Sequence, residues 1–330
     1  MMSDATGALM DLKPYKPMLG RTIDGLESST PLTDAARLAV GGRLSAVNGL
    51  IPHVLEHGAD EARPVHRLRV ATRRASAAVA LVADRLPGKR VKAVTRALRR
   101  LRRSAARVRA ADVHAEMLLG RVAAADPRAP ALALAAGLTL AERAEAFDRL
   151  RRSIEDGAGD DLAGAGRRLL DLMRDRPSLG GEFGPAARAA VTDQMGRARA
   201  AAREDLREPD RLHGLRIELK RLRYTIEAVG AVADEIGARP LYALLIDAQD
   251  RFGAVNDAVE LAHRLAGAHE RLASGPAPAP PSVLESLADA ARDEEAQARA
   301  LHESLTRWWP ASALAGALRD AGCAPPGARR

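Results

Sequence analysis

Apolar residues recur every three or four positions along most of the chain, and this period predicts α-helices throughout. The pattern is clearest in two segments, 65–82 and 212–229. Each has one apolar face, which predicts a helix that packs against a core on that side. The faces contain Leu68, Ala71, Ala75, Val79 and Val82 in the first segment, and Leu215, Leu219, Leu222, Ile226 and Val229 in the second. The predicted fold class is all-α.

Turn-forming residues divide this pattern into a series of helices. Thr33 or Asp34 is the expected N-cap of the first helix, and proline and glycine at 87–88 end the helix of the first segment near Leu86. A glycine-rich acidic run over 155–166 predicts a hinge followed by a short helix. Further helices are predicted over 112–123, 130–154, 186–206, 209–232, 239–252, 257–273 and 283–308.

The polar faces of the two clearest segments carry the same basic pattern. A histidine is followed three residues later by Arg, seven later by Arg or Lys, and eight later by Arg. The first three of these positions lie within an arc of about 60° on a helix, so they form one stripe. The two stripes are His66, Arg69 and Arg73, and His213, Arg216 and Lys220, and each is followed directly by a further arginine, Arg74 or Arg221. Arg223 and Tyr224 extend the second stripe, whereas Ser76 and Ala77 stand in those places in the first.

This repeat predicts a duplicated protein. The expected organisation is a flexible arm over residues 1–31, one helical bundle over 32–176, a second over 177–309 and a tail over 310–330.

A third basic stripe lies between the two copies, on the helix predicted for the segment from Lys89 to Arg109. Like charges stacked along a helix destabilise it by a few tenths of a kcal/mol per pair unless an anion relieves them. Three such stripes therefore favour a bound anion over a merely solvated surface. The third stripe contains Lys92, Arg96, Arg99, Arg100, Arg103 and Arg107.

Composition narrows the kind of anion. Lys and Arg number 51 against 43 for Asp and Glu, which favours an acidic partner. Aromatic residues make up only 2% of the chain, whereas proteins that hold single-stranded nucleic acid stack bases on aromatic rings. A polymer of phosphate without bases needs no such rings. The single cysteine, Cys323, excludes a disulfide within one chain, and no membrane span or signal peptide is evident, so a cytoplasmic protein is expected.

The two motifs resemble the hallmark of a known family, the conserved histidine α-helical domain, or CHAD. The resembling stretches are VHRLRVATRR from Val65 to Arg74, LHGLRIELKRLRY from Leu212 to Tyr224, and QDRFGAVNDAV from Gln249 to Val259. The resemblance covers residues 33–309. It implies two pseudo-symmetric helical bundles that enclose a basic central cavity, with inorganic polyphosphate as the ligand and the two histidine stripes along the cavity wall.

The chain departs from this pattern at two places in its first half. Ser76 stands where the pattern favours Arg, and the segment RVRAADV lacks the acidic residue that usually precedes Asp112 by two positions. The cavity is expected to be less cationic at that end unless Arg107 and Arg109 compensate.

The leading hypothesis is non-enzymatic binding of polyphosphate or another phosphate-rich polyanion, with no cofactor and no bound metal, and association with polyphosphate granules would follow from it. A helical nucleic-acid-binding protein that contacts backbone phosphates is the alternative, and a metal or phosphoryl carrier using the histidines is the third. His53 and His57 could pair on a metal, although no zinc motif supports this. Asp112 and Asp257 are expected to cap helices or to hold motif cations in position.

The two adjacent tryptophans, Trp308 and Trp309, are expected in the core or an interface. The sequence contains no phosphate-loop, dinucleotide or nucleophile-elbow motif, so an enzyme is not predicted.

Overall fold

The computed structural model describes residue 23 and the ranges 25–175 and 179–320. These residues form ten α-helices of eight residues or more, and an isolated bridge between Pro31 and Glu182 is their only β pairing. The all-α prediction is confirmed. The helices are α1 (Leu32–His57), α2 (Ala62–Ala80), α3 (Gly88–Ala123), α4 (Ala129–Ser153), α5 (Gly159–Asp175), α6 (Phe183–Ala202), α7 (Pro209–Val229), α8 (Arg239–Ser274), α9 (Pro281–Trp308) and α10 (Ala313–Asp320).

Two helices are longer than their sequence predicts. The expected break before Asp112 is absent, because this residue lies buried within α3, where its carboxylate pairs with a neighbouring helix. The expected break between Phe252 and Asp257 is also absent. The helix α8 continues through Gly253, and Phe252 and Val255 on either side of this glycine are buried on one face. Neither aspartate caps a helix, so the capping alternative of that prediction is wrong.

The first helix begins through backbone pairing and not through a side-chain cap. Its N-cap is Pro31, and the amide of Leu32 donates to the carbonyl of Gly181 at 3.0 Å. The hydroxyl of Thr33, the expected cap, instead accepts from the amide of Leu179 at 2.8 Å. The sequence prediction of a Thr33 or Asp34 cap is therefore wrong, because a segment distant in sequence supplies the partners.

The chain divides into two compact units, and each contains parts of several helices. The first unit comprises residues 1–102, 154–187 and 227–236, and the second comprises 103–153, 188–226 and 237–330. The division of the chain near residue 176, the duplication of the two halves and an enclosed basic cavity stay predictions from the sequence.

In the first unit, α1 packs against α2 and α5. At the predicted hinge, just before α5, Gly157 has a φ of 90°, a backbone conformation that glycine adopts readily. Glycines also allow a close approach between α1 and α5: a Cβ on Gly166 would lie 3.1 Å from a methyl group of Leu44. The glycine-rich run therefore serves helix packing as well as the turn.

In the second unit, α8 and α9 form a long antiparallel pair that also contacts α4. Leu118, Leu132, Leu265 and Leu287 are fully buried in one core cluster of this unit. Trp309 is buried and packs edge-on against Phe252 with ring centroids 5.7 Å apart, as expected for a core tryptophan. The sequence assigned residues 313–320 to a tail, but they form α10, whose Leu314 and Leu318 are buried.

At the N-terminus, most of the expected arm lies outside the described residues, which here include residue 23 and the range 25–31. Within that range Leu26 is buried. Among the described residues, no helix has both the length and the apolar character needed to cross a bilayer.

Candidate functional site

The two motif helices each turn an apolar face to the core, as their sequences predict. All ten residues named for the apolar faces are buried. His66 and His213 are the fifth residues of α2 and α7, respectively, and both are exposed. The cations that follow each histidine are half-buried or exposed, so each motif helix presents a basic strip beside its core contact.

On α2, Arg69 and Arg74 have defined partners. One terminal guanidinium nitrogen of Arg69 donates to the backbone carbonyl of Arg102 at 3.3 Å, which ties this side chain to α3. Nε of Arg74 donates to a carboxylate oxygen of Glu227 at 2.7 Å, and the carboxylate is almost completely buried. Arg74 thus joins a buried ion pair, whereas Arg73, which lies between them in sequence, has a half-buried side chain.

A second buried arginine lies beside this ion pair. The pKa of the Arg43 guanidinium is lowered to about 10, mainly by burial and next by the neighbouring charge of Arg74, while Glu227 acts in the opposite direction. Arg43 is only 2% exposed. This cluster is inside the first unit, so we regard it as part of the scaffold that holds α2.

The third basic stripe runs along α3, and all six of its residues are exposed. Arg100 forms an ion pair with Asp161 of α5 at 2.9 Å. Within the part of the chain that the structure describes, the side chains of the other five form no hydrogen bond or ion pair. The buried residues of the same helix, including Val94, Leu98, Leu101 and Val108, lie on the opposite side. The five cations without an acidic neighbour are Lys92, Arg96, Arg99, Arg103 and Arg107.

The stripe of α7 is partly engaged by neighbouring side chains. Arg221 forms an ion pair with Glu218 one turn earlier. Arg223 donates to the hydroxyl of Tyr224 at 3.1 Å, and its guanidinium carbon lies 4.8 Å from the ring centroid. Arg216 and Lys220 are half-buried between these exposed and engaged residues. The two residues that were predicted to extend the stripe, Arg223 and Tyr224, thus contact each other through their side chains.

Two of the predicted residues, His213 and Arg216, also line a pocket of about 440 Å³ in the second unit. Its other walls come from α8 and α9. Sequence reasoning missed His263, Arg299 and His302, which the fold brings to this pocket from far along the chain. Isolated histidines and arginines on two amphipathic helices give no local motif, so only the packing of the helices could reveal them.

The aspartate that was expected to cap a helix or hold a motif cation instead holds an arginine outside the motifs. Asp112 accepts from Nε of Arg143 on α4 at 2.6 Å, and both side chains are buried. Nearby, Nε of Arg264 donates to Nδ1 of His114 at 2.9 Å. Burial and, next, the charge of Arg264 lower the pKa of His114, so this imidazole is held neutral.

The histidine pair considered for a metal is a ring contact. His53 and His57 lie edge to face with centroids 4.7 Å apart. Burial and then the proximity of His57 lower the pKa of His53. Across the described ranges, no group of three or more His, Cys, Asp or Glu residues gathers in a way that could hold a metal ion.

The comparisons with known proteins agree on one family. The family model for the CHAD domain matches residues 39–266. The crystal structure of the CHAD domain from the plant Ricinus communis superposes with a TM-score of 0.64 at 18% identity, covering 92% of this chain and 96% of that one. PptA from Streptomyces chartreusis superposes with a TM-score of 0.55 at 20% identity, covering 84% and 100% of the two chains. No curated protein gives a sequence match.

Proposed function

The chain belongs to the CHAD domain family, and from this premise we propose that it binds inorganic polyphosphate, without catalysis, through the cationic faces of α2, α3 and α7. The observation that carries this proposal is the stripe on α3. Five of its cations are exposed and have no acidic neighbour among the described residues. Their mutual repulsion stays uncompensated in the absence of an anion, so an anion that spans several of them would stabilise the complex.

Polyphosphate suits such a stripe because its charges repeat along a flexible chain. An arginine can grip one phosphate through two parallel hydrogen bonds. Once one phosphate is held, its neighbours in the same chain are present at a high effective concentration near the next arginine. A row of weak individual contacts therefore gives tight binding that weakens steeply as salt rises.

The aromatic residues support phosphate over nucleic acid as the ligand. Phe147, Phe183, Phe252 and Trp309 are buried, and the ring of Trp308 is covered by the guanidinium of Arg251 at 4.6 Å. Bases of a single strand would need exposed rings on which to stack. A ligand without bases does not need such rings, so the absence of aromatic residues from the α3 stripe does not weaken its binding.

The test replaces cations of both motif helices together. In the variant with Arg69, Arg73, Arg216 and Lys220 changed to Ala, we expect the affinity for long-chain polyphosphate at 50 mM salt to fall about a thousandfold, because each lost charge costs nearly one order of magnitude there. Circular dichroism and thermal unfolding establish that the variant is folded. Full binding by the folded variant would show that these side chains do not hold the polymer.

Association with polyphosphate granules would follow from this binding. A fluorescent fusion of the full chain should co-localise with granules in cells that accumulate polyphosphate and should become diffuse when the polymer is removed. Persistence of the same foci without polyphosphate would mean that something else recruits the protein.

A further inference from the structure

The pocket of the second unit has a chemistry that differs from the basic stripes. Its walls are the beginning of α7, the middle of α8 and the second half of α9. Leu212, Phe252, Val255, Ala262 and Ala298 form its buried apolar lining. Its volume of about 440 Å³ lies within the range of pockets that hold small organic molecules.

One end of the pocket combines an apolar wall with a cation. The side chain of Gln249 on α8 donates to the carbonyl of Leu219 on α7 at 3.4 Å, and the lining residues of α7 precede Leu219 while those of α8 follow Gln249. The two helices are therefore antiparallel, which places Arg216 level with Phe252. Trp309 packs edge-on against the Phe252 ring, with ring centroids 5.7 Å apart.

The opposite end of the pocket is acidic and open. Phe252 and His263, the first and last lining residues of α8, are about 16 Å apart along the helix axis. Glu260 and Glu295 lie towards the His263 end, where both are exposed, and Arg299 pairs with Glu295 at 4.0 Å. A polyanion entering from this end would meet carboxylates first, and that makes the pocket a poor site for a long chain of phosphates.

Between the two ends, a histidine is held in a fixed orientation. Nε2 of His302 lies 2.8 Å from the carbonyl of Leu206, and because a carbonyl can only accept, this nitrogen carries the proton. The half-buried amide of Asn256 supplies both donors and an acceptor in the same pocket. These polar groups can orient a ligand, and none of them needs a negatively charged partner.

We propose that this pocket binds a small organic phosphate, with an apolar or aromatic body against Val255 and Ala298 and a single phosphate group on Arg216. The apolar walls favour a carbon skeleton, since burying bare phosphate against them would cost solvation free energy without any compensating contact. The half-buried guanidinium supplies the charge-assisted, bidentate contact that a phosphate head requires.

Part of the pocket wall lies outside the stretch that the family model matches. That match ends at residue 266, whereas Glu295, Ala298, Arg299 and His302 all follow it. The pocket shares Arg216 with the proposed α7 stripe, whereas its apolar walls take no part in any stripe, so filling these walls distinguishes failure of this inference from failure of polyphosphate binding.

Phenyl phosphate is the probe, and its binding to the full chain is measured by isothermal titration calorimetry at 150 mM salt. We expect phenyl phosphate to bind at least tenfold more tightly than inorganic phosphate, and also more tightly than phenol. Equal affinity for phenyl phosphate and inorganic phosphate would overturn the proposal, and so would equal affinity for phenol.

Pocket-filling variants separate this site from the stripes. Val259→Trp adds a large ring at a lining residue that is 38% exposed, so the fold should tolerate it, and Ala298→Leu fills the pocket from a buried wall. Both should weaken phenyl phosphate at least tenfold while leaving polyphosphate affinity within twofold. Leu134→Trp, at an exposed leucine of α4 outside the pocket, is the matched control and should change neither affinity.

The outcomes for the two ligands are distinct. Undiminished phenyl phosphate binding by Val259→Trp would show that this ligand binds elsewhere. Loss of polyphosphate affinity in the same variant would assign the pocket to the polymer and would overturn the proposal of a separate site.

Discussion

The earlier and later parts of α3 use arginine in opposite ways. The six stripe residues between Lys92 and Arg107 are exposed, and of these six only Arg100 has an acidic partner among the described residues. Between Asp112 and Arg121 two charges form ion pairs with a buried partner: Asp112 with Arg143 at 2.6 Å, and Arg121 with the carboxylate of Glu294. One helix thus carries an open basic stripe followed by a set of internal ion pairs.

This difference shows that the number of arginines is a poor guide to ligand binding. A buried carboxylate such as Glu294 is stable only when a cation stays beside it, so its arginine is committed to the fold. A hydrated cation that forms no ion pair is not needed to neutralise a buried carboxylate. Such a cation can exchange its bound water for a phosphate. The position of the acidic residues therefore separates the two parts of α3.

The largest expected effect comes from removing the open part of the stripe. Changing Arg96, Arg99, Arg103 and Arg107 to Gln should weaken polyphosphate binding about a thousandfold at 50 mM salt and make the log–log salt dependence shallower by about 3, since each contact with a flexible polyanion contributes about 0.7. Titrations at several salt concentrations measure both quantities.

The control for this variant removes the same charge from paired surface arginines. Arg149, Arg151, Arg197 and Arg292 each lie beside an acidic residue on the same helix. Changing these four to Gln should alter the affinity less than threefold. An equal loss in both variants would mean that only net charge matters and that the stripe is not a site.

The paired part of α3 should affect stability and not binding. Asp112→Asn leaves the guanidinium of Arg143 buried without its counter-charge, and we expect the free energy of unfolding to fall by about 3 kcal/mol. Urea denaturation measures this change. Polyphosphate affinity of the folded variant should stay within twofold, and a large loss of affinity with unchanged stability would reverse the roles assigned to the two parts.

A surface pair provides the reference for that measurement. Asp193 and Arg197 form an exposed ion pair at 2.9 Å, so Asp193→Asn should change the free energy of unfolding by no more than about 0.5 kcal/mol.

A smaller effect is expected from His114, which lies in the paired part of α3. Its pKa is lowered in the folded state by burial and by Arg264, so below pH 6.5 the unfolded chain binds a proton that the folded chain does not. Stability should therefore decrease as the pH falls from 7 to 5, and His114→Gln should flatten this dependence. His269→Gln, another histidine of the second unit, is the control, and an unchanged pH dependence in His114→Gln would contradict the neutral assignment.

The smallest effect concerns the single ion pair of the open stripe. Asp161 pairs with Arg100, and both side chains are largely exposed, so the pair adds little stability. Asp161→Asn should free Arg100 and raise polyphosphate affinity about twofold to threefold at low salt. The neighbouring Asp160→Asn removes the same charge without breaking an ion pair among the described residues, and an identical gain in that variant would show a long-range charge effect only.

The sequence predicted the faces of the motif helices well because burial follows the helical period. Leu68 and Val79 on α2 and Leu215 and Ile226 on α7 are all buried where the pattern placed them. The α3 stripe was predictable for the same reason. The hinge near Gly157 was visible because a positive φ selects glycine.

The partners of individual charges were not predictable. Glu227 lies 153 positions from Arg74 in the sequence, and nothing local indicates that the two side chains form a buried pair. The partner of Asp112 was likewise not predictable, because the local sequence indicated a helix cap and not a buried ion pair. Residues of the α9 wall, such as His302, lie outside both motifs and enter the pocket only because α9 folds back along α8.

Direct competition among polyanions tests the central claim most directly. Labelled long-chain polyphosphate is bound to the full chain at fixed ionic strength, and unlabelled polyphosphate, DNA, RNA and short phosphates are added at equal phosphate concentration. The account predicts that long-chain polyphosphate displaces the label at a concentration at least tenfold lower than DNA or RNA. Displacement by DNA at an equal or lower concentration would contradict it and would favour a nucleic-acid-binding protein.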